Sequence, residues 1–306
     1  METDKVNDHS DRIRWPNGAR AAISMTIDNM GEAADLNRKL WPESEPIGNH
    51  YSVTKVLPQM LSLLKKYDVS ATYFIESWNI NVYGNFILGQ IVKAGHEVGW
   101  HAWQHEAWAK MKDSGEERAN FERSFGPEGI GQWLVNGQIE LRPPGGITNG
   151  DMTLKMCREF GLGYLSPAAE VAATVDVGTQ NDKLVILPFK WATVDAYFYM
   201  ETFASLRQLK GDYPREPQSP RVLVQRFTSE IDKTIKTGGF LAILFHPFLT
   251  DRPERLEAFE SVLKYLIQKR DEGVIWLTRC QDVEGFIREH PDTVGTDPQW
   301  DLSSWR

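Results

Sequence analysis

The sequence is poor in cysteine, in long apolar runs and in positive charge. Its 306 residues include only two cysteines, Cys157 and Cys280, too few for a scaffold held together by disulfide bonds. Both lie among apolar neighbours, so we expect two buried free thiols. No run of about 18 apolar residues occurs, which excludes a membrane-spanning helix. The net charge of -8 argues against a nucleic-acid-binding protein, which normally carries a basic patch.

The first residues also lack the features of an export signal. The stretch METDKVNDHSDRIRWPNG is polar and charged, without the apolar segment that a secretory signal peptide needs. This predicts a cytoplasmic protein, although a mature form trimmed of its leader would look the same. The length fits one large α/β domain or two small ones, and we expect a single catalytic domain over residues 1–306.

Short apolar runs alternate with amphipathic stretches along the chain. Several runs are almost continuously apolar, which is typical of parallel strands covered on both faces. The predicted strands begin at Ala21, Ser70, His96, Ile139, Leu162, Lys183, Phe240 and Val274. Helical patterns occupy 53–67, 85–95, 219–238 and 252–273. This alternation predicts an α/β fold, a distorted (β/α) barrel of about seven to eight parallel strands, with an open doubly wound sheet as the alternative.

Two stretches have no regular pattern, 34–52 and 200–218. Long irregular segments in a compact domain are usually functional or disordered. We expect both to cover the rim of the barrel and to limit access to it.

Polar and aromatic side chains follow several of the predicted strands. They are Asp28 after the first strand, His101 and His105 after the third, Arg142 with Pro143, Pro144 and Gly145 after the fourth, Trp191 and Asp195 after the sixth, and His246 after the seventh. Because the carboxyl ends of parallel strands meet at one rim, we expect these side chains to converge there.

Two of these histidines have a spacing suited to a metal ion. His101 and His105 are four residues apart, which on a helix or tight turn places both imidazoles on one face. Asp28 is the natural third ligand, and three ligands leave a position open for water. Histidine and carboxylate ligands suit zinc best, and also cobalt, manganese or nickel.

The remaining polar groups suit acid–base chemistry. His246 ends a buried strand and is placed to act as a general acid for a leaving nitrogen. Asp195 would orient it and tune its pKa, whereas Arg142 would hold a carboxylate or bind substrate. Glu32 is either a reserve base or a carboxylate at a helix start. Trp103 either packs in the core or walls the substrate pocket.

These segments together resemble the polysaccharide deacetylase, or NodB-homology, family. Five ordered stretches carry the resemblance: 26–29 (Thr-Ile-Asp-Asn), 101–105 (His-Ala-Trp-Gln-His), 142–146 (Arg-Pro-Pro-Gly-Gly), 189–198 (FKWATVDAYF) and 244–246 (Leu-Phe-His). They span about 20–288. The His-Pro at 246–247 and the Arg-Pro at 252–253 resemble the branch with allantoinase-like proteins, cyclic imidases and cytoplasmic peptidoglycan-deacetylase-like enzymes. That branch's late Trp-x-x-Thr is only partly kept, at Trp276 and Thr278.

The sequence departs from the family at its first motif. In the family the first aspartate is the general base and the second binds the metal. Here Asn29 follows Asp28, and Met30 stands where the branch often has its second aspartate. Asp28 then becomes the carboxylate ligand beside the two histidines, or the site binds metal weakly, as in allantoinase-like relatives that have lost ligands.

The resemblance implies a metal-dependent hydrolase of non-peptide carbon–nitrogen bonds. We expect a small soluble amide, imide or N-acetylated substrate, contacted by Trp103, Trp191, Pro144 and Gly145, with no nucleic acid or membrane as partner. The alternatives are a polysaccharide or peptidoglycan N-deacetylase and a catalytically silent ligand-binding relative. Members of the branch are often oligomeric, which implies a homo-oligomer.

Overall fold

A computed structural model describes residues 15–111, 114–133, 140–178 and 183–303. The strands are β1 (Ala21–Asp28), β2 (Thr72–Ile75), β3 (Glu97–Trp100), β4 (Tyr164–Leu165), β5 (Ala173–Asp176), β6 (Lys183–Ile186), β7 (Phe189–Val194), β8 (Gly239–Phe245) and β9 (Ile275–Leu277). The α-helices are α1 (Ala33–Asn37), α2 (Leu57–Lys66), α3 (Asn79–Phe86), α4 (Ser114–Phe125), α5 (Asp151–Glu159), α6 (Asp195–Tyr199), α7 (Ala204–Lys210), α8 (Pro220–Thr237), α9 (Pro253–Asp271) and α10 (Cys280–Glu289). Turns of π-helix precede α2 (Ser52–Val56) and follow α3 (Ile87–Val92).

The central sheet is parallel and has the strand order β3-β2-β1-β8-β7, with β9 also paired to β1. Every residue of β1 is buried, as expected for a largely apolar strand, because helices cover both faces of such a sheet. β1 is therefore the centre of the fold, and the residue that ends it, Asp28, is held on both sides.

The two edges of this sheet are joined through single bridges. Leu141 bridges in parallel to Trp100 at one edge and to Leu165 of β4, and Ala168 bridges in parallel to Phe189 of β7 at the other edge. The sheet thus curls into the predicted distorted (β/α) barrel, with isolated bridges in place of a continuous ladder on its far side. The predicted α/β class with a parallel central sheet is confirmed.

Three local strand predictions differ from the structure. The predicted strand from Ile139 is reduced to the bridge at Leu141, and Ile139 itself lies outside the described residues. β5 was not predicted and runs antiparallel to β6. The pattern predicts no separate strand at 189–194, although Phe189–Val194 forms β7. Its alternation of buried and partly exposed residues is short and interrupted by a register shift, which weakens the pattern.

The predicted helices form with the expected signals. Ser219 accepts a hydrogen bond from the Val222 backbone N–H at the start of α8, Pro220 is the first helical residue, and Gly238 ends the helix at φ +80°. These are the residue types that each position favours. In α2, Met60 and Leu64 form the buried stripe.

Both irregular stretches contain unexpected order, since most of α1 (Ala33–Asn37) lies within the first and a further helix lies within the second. Residues 204–210 form α7, so the prediction of an irregular segment over 200–218 was wrong there. The helix is held by Arg207, whose buried guanidinium donates to the backbone carbonyls of Tyr197, Met200 and Arg215. A helix held by hydrogen bonds from a buried arginine to backbone carbonyls needs no hydrophobic periodicity, so the sequence pattern does not predict it.

Both cysteines are buried and free, as predicted. Within the described ranges, no helix combines the length and the apolar character needed to span a membrane. Most of the polar N-terminal stretch behind the export prediction lies outside those ranges.

Candidate active site

The register of the sheet brings the predicted catalytic groups together. Asp28 lies opposite Phe74 of β2, and Ile27 lies opposite Phe245 of β8. His246 follows Phe245 directly, so it leaves β8 beside Asp28. The same parallel register extends through β3 and β7, whose carboxyl ends lead to the other site residues.

A cavity of about 530 Å³ opens at this rim. The predicted residues on its wall are Asp28, His101, His105, Gly145, Trp191 and His246. The wall also includes Arg38, His50, Tyr51, Phe203 and Phe248, which the sequence did not single out. Both irregular stretches contribute to it, as expected for segments that cover the rim. Arg38, His50 and Tyr51 carried no recognisable signal, because irregular loops have no periodicity from which to infer direction.

Asp28 is a buried carboxylate held by an arginine. Its Oδ1 accepts a hydrogen bond of 2.8 Å from Arg142 Nη1, and the side chain of Arg142 is fully buried. Arg142 also donates to Thr26 and Ser166 hydroxyls and is absent from the cavity wall. Burial raises the pKa of Asp28, and the Arg142 and His246 charges only partly offset this. Arg142 therefore orients the carboxylate, one of its two predicted roles, and leaves Asp28 Oδ2 free.

His246 and Asp195 form a second charged pair. Asp195 Oδ1 lies 2.5 Å from His246 Nδ1, and Oδ2 accepts from the His246 backbone N–H at 2.8 Å. Burial lowers the pKa of His246, but the Asp195 and Asp28 carboxylates together outweigh burial and the net pKa is raised. With Nδ1–H directed at Asp195, Nε2 is the nitrogen that can carry a proton for the substrate.

The substitution Asp195→Asn should move the alkaline limb of the pH–rate profile. Loss of the carboxylate lowers the pKa of His246, so the protonated imidazole disappears at a lower pH as pH rises. We expect a shift of about one to three pH units towards acid, measured as kcat between about pH 5 and 9. Asp292→Asn, on the exposed C-terminal surface, is the matched control. An unchanged alkaline limb in a folded Asp195→Asn variant would contradict the pairing.

The two histidines of the metal prediction face each other. Their ring centroids are 4.9 Å apart, and they lie on a turn in which Ala102 and His105 adopt left-handed backbone conformations. His101 Nδ1 lies 2.6 Å from the Arg142 carbonyl oxygen, to which it donates. Burial lowers the pKa of His101 to about 3 and that of His105 well below its ordinary value. Both imidazoles are therefore neutral, the form that binds metal.

The donor chemistry of this site fits a metal ion, but the ligands are not yet gathered. His101 Nε2 has a free lone pair and lies 4.0 Å from Asp28 Oδ2. His105 instead accepts from Arg38 through Nδ1, at 3.1 Å, so its other nitrogen carries the proton in the neutral ring. Among the described residues no three His, Cys, Asp or Glu side chains already form a metal-binding cluster. His105 must exchange Arg38 for the ion before it can act as the third ligand.

Asn29 is committed to a different partner. Its amide Nδ2 donates to Glu76 Oε1 at 2.7 Å, and Glu76 Oε2 accepts from the Met30 backbone and from Asn79. Glu76 is fully buried, which raises its pKa to about 8. An aspartate at position 29 would place a second carboxylate against this one. The amide of Asn29 therefore suits its neighbour Glu76, which a carboxylate at position 29 would repel. Met30, the next residue, is buried.

Glu32 does not line the cavity in which a reserve base would act. Its carboxylate is fully buried and both oxygens are engaged, Oε1 by the Gly48 backbone N–H and Oε2 by the Tyr83 hydroxyl, each at 2.5 Å. It is absent from the cavity wall. Glu32 fixes the segment 34–52 against the barrel and precedes α1, which matches the alternative prediction of a carboxylate at a helix start.

Two of the predicted substrate contacts lie elsewhere. Trp103 is buried beneath the guanidinium of Arg123, which sits 4.1 Å from its ring centroid. Neither Trp103 nor Pro144 is on the cavity wall, where Pro143 and Gly145 are found instead. Pro144 is buried within this turn, in which Gly145 has a φ of +77°. Trp191 lines the cavity as predicted.

Comparisons with known sequences point to one family. Residues 16–165 match the family model described as polysaccharide deacetylase. A peptidoglycan deacetylase from Helicobacter pylori is 24% identical over 263 residues, which cover 77% of this chain and 85% of that protein. A peptidoglycan-N-acetylglucosamine deacetylase from Bacillus cereus is 31% identical over 104 residues, covering 34% of this chain and 46% of that protein.

Solved structures share the fold. A structure from Mycobacterium smegmatis assigned to the polysaccharide deacetylases superposes with a TM-score of 0.74 at 22% identity, covering 95% of this chain and 98% of that one. PuuE allantoinase superposes with a TM-score of 0.68 at 18% identity, covering 95% and 99%. At these identities the likeness is one of architecture.

Proposed function

We propose that the chain is a hydrolase of the polysaccharide deacetylase family, whose members act on non-peptide carbon–nitrogen bonds, and that it cleaves the amide or imide bond of a small soluble substrate with the help of a divalent metal ion. The observation that carries the proposal is the pairing at one cavity of Asp28 with Arg142 and of His246 with Asp195. The two pairs hold a carboxylate and an imidazolium on the same wall, close enough for each to affect the other's pKa. Hydrolysis of an amide needs such an acid and such a base or metal ligand.

The metal would be held by His101, His105 and Asp28. When bound, a divalent ion of this kind lowers the pKa of a coordinated water and polarises a carbonyl. Two imidazole nitrogens and one carboxylate oxygen favour zinc, with cobalt, manganese or nickel as substitutes. The hydrogen bond from His101 Nδ1 to the Arg142 carbonyl supports this role, since such a bond fixes the ring that presents Nε2 to a metal.

Side chains of the protein accept and donate the protons of the reaction. Arg142 fixes the Asp28 carboxylate, so Oδ2 alone is free to bind the ion or to take a proton from the attacking water. His246 Nε2 gives its proton to the leaving nitrogen as the carbon–nitrogen bond breaks, while Asp195 stabilises the imidazolium beforehand. The products are a carboxylic acid and an amine or amide.

The cavity favours a small substrate. Trp191, Phe203 and Phe248 line it with aromatic surface, and residues from 34–52 and 200–218 complete its wall. A volume of about 530 Å³ matches ordinary small-molecule sites. The named relatives support an alternative, N-deacetylation of a polysaccharide or peptidoglycan. A catalytically silent ligand-binding protein is the second alternative, supported by Met30 where the branch often has its second aspartate.

Removal of both histidines should abolish metal binding and turnover together. The double variant His101→Ala/His105→Ala is assayed with N-acetylated sugars, cyclic imides and allantoin, beside the wild type with and without chelator. We expect the wild type to hold roughly one metal ion per chain, to lose activity with chelator and to recover it with added zinc.

The matched control is His290→Ala, at an exposed position beyond the barrel rim, which should keep both metal and turnover. Activity that survives in the double variant would refute the metal role. Turnover confined to N-acetylated sugar oligomers would favour the polysaccharide alternative, and ligand binding with neither metal nor turnover would favour the silent one.

A further inference from the structure

Arg38 is a cation on the cavity wall whose charge is not neutralised by a carboxylate. It follows α1, lines the cavity and is largely exposed. Its guanidinium donates to His105 Nδ1 at 3.1 Å, and within the described ranges it makes no ion pair with an acidic side chain. A guanidinium has five N–H donors, so the contact with His105 leaves most of them available to a ligand.

The other charged groups around the cavity are already matched. Asp28 is balanced by Arg142, and His246 by Asp195. Arg38 is therefore a cation beside the catalytic groups whose charge is not offset by a carboxylate among the described residues.

Asp35 is a further charged residue on the described wall. Its carboxylate lies 3.9 Å from His50 Nε2 and, among the described residues, makes no ion pair with Arg38. The wall thus has a carboxylate beside His50 and a positive region at the Arg38 guanidinium, beside His105. An anion that enters the cavity would be attracted to the positive region, next to the groups that act on the amide.

We propose that Arg38 binds a carboxylate carried by the substrate, close to the amide bond that is cleaved. The inference rests on the proposed function and narrows its substrate class to amides or imides with a neighbouring carboxylate. The aromatic and apolar wall would otherwise oppose such a group, because a carboxylate that leaves water needs a charged or hydrogen-bonding partner. A guanidinium supplies two parallel hydrogen bonds to it.

Two probes of equal size test this assignment. N-acetylglycine carries the carboxylate and N-acetylglycinamide replaces it with a neutral amide, and their dissociation constants are measured by calorimetry or ligand-observed NMR. We expect the wild type to bind the acid roughly tenfold more tightly than the amide. Arg38→Met should remove this preference, and Arg38→Lys should keep part of it.

Lys39→Met is the matched control, because it removes the same charge one residue along the chain and Lys39 is absent from the cavity wall. It should retain the full preference. Equal binding of the two probes by the wild type, no binding of either, or a preference that persists in Arg38→Met would each overturn the assignment.

The two proposals fail in different ways. Hydrolysis of neutral amides without any preference for the acid probe leaves the proposed function intact and removes the role of Arg38. Selective, Arg38-dependent binding without hydrolysis of any amide leaves the carboxylate site intact and removes the proposed function.

Discussion

Asp28→Asn should reduce kcat by about two to four orders of magnitude. The substitution keeps the shape of the side chain and an oxygen for Arg142, but removes the charge that binds a metal or accepts a proton. Single-turnover assays with the best amide substrate give the rate. Urea unfolding gives the loss of stability that follows when Arg142 has no carboxylate partner. Activity within tenfold of the wild type would contradict a central role for Asp28.

The metal content of the same variant separates the two roles of Asp28. If the carboxylate is a ligand, the variant loses metal together with turnover, and added zinc restores part of the rate. If it is the general base, about one metal ion per chain remains while turnover is still lost. Asp271→Asn, at an exposed carboxylate on α9, controls for the removal of a negative charge and should match the wild type in both measurements.

The central sheet and the catalytic pairs could be predicted because their signals are local and periodic. β1 and β8 are continuous apolar runs, and Asp28 and His246 end them directly. Once the strands are parallel, their carboxyl ends must share a rim, so the convergence follows from the pattern alone.

The direction of side chains in the turns could not be predicted in this way. Trp103 and Pro144 are neighbours of wall or site residues, yet their side chains lie elsewhere. The direction of a side chain in a turn depends on backbone conformations with positive φ. These occur at Ala102 and His105 in the first turn and at Gly145 in the second. No periodicity reports a single residue with positive φ.

Interactions between distant polar residues were equally hidden. Glu32 has the sequence position of a rim carboxylate, but its partners Gly48 and Tyr83 come from later segments. Glu76 belongs to none of the predicted motifs, yet its carboxylate accepts a hydrogen bond from Asn29 and so disfavours an aspartate at position 29. The amide of Asn29 thus matches the carboxylate of Glu76. As a consequence, Asp28 is left as the carboxylate that can bind a metal ion.

Arg142→Met should destabilise the fold by about 3–5 kcal/mol, the usual cost of removing one partner from a buried ion pair. The variant leaves the Asp28 carboxylate and the Thr26 and Ser166 hydroxyls without their shared donor. Arg142 is one of the charges that lower the pKa of Asp28 against the effect of burial, so this pKa rises further in the variant. Urea unfolding measured at several pH values gives the free energy of unfolding in each state.

The loss of stability in Arg142→Met should depend on pH in a defined direction. When the folded-state pKa of a carboxyl group exceeds its unfolded value, the folded protein binds more protons, so its stability falls as pH rises between the two values. The loss in Arg142→Met should therefore be larger at neutral pH than near pH 4, where Asp28 is protonated in the folded variant. Arg123→Met, which removes an exposed arginine stacked on Trp103, should cost less than about 1 kcal/mol without this dependence. Adding Asp28→Asn to Arg142→Met should recover part of the stability at neutral pH, because the uncompensated charge is gone; no recovery would show that Arg142 acts through the hydroxyls instead.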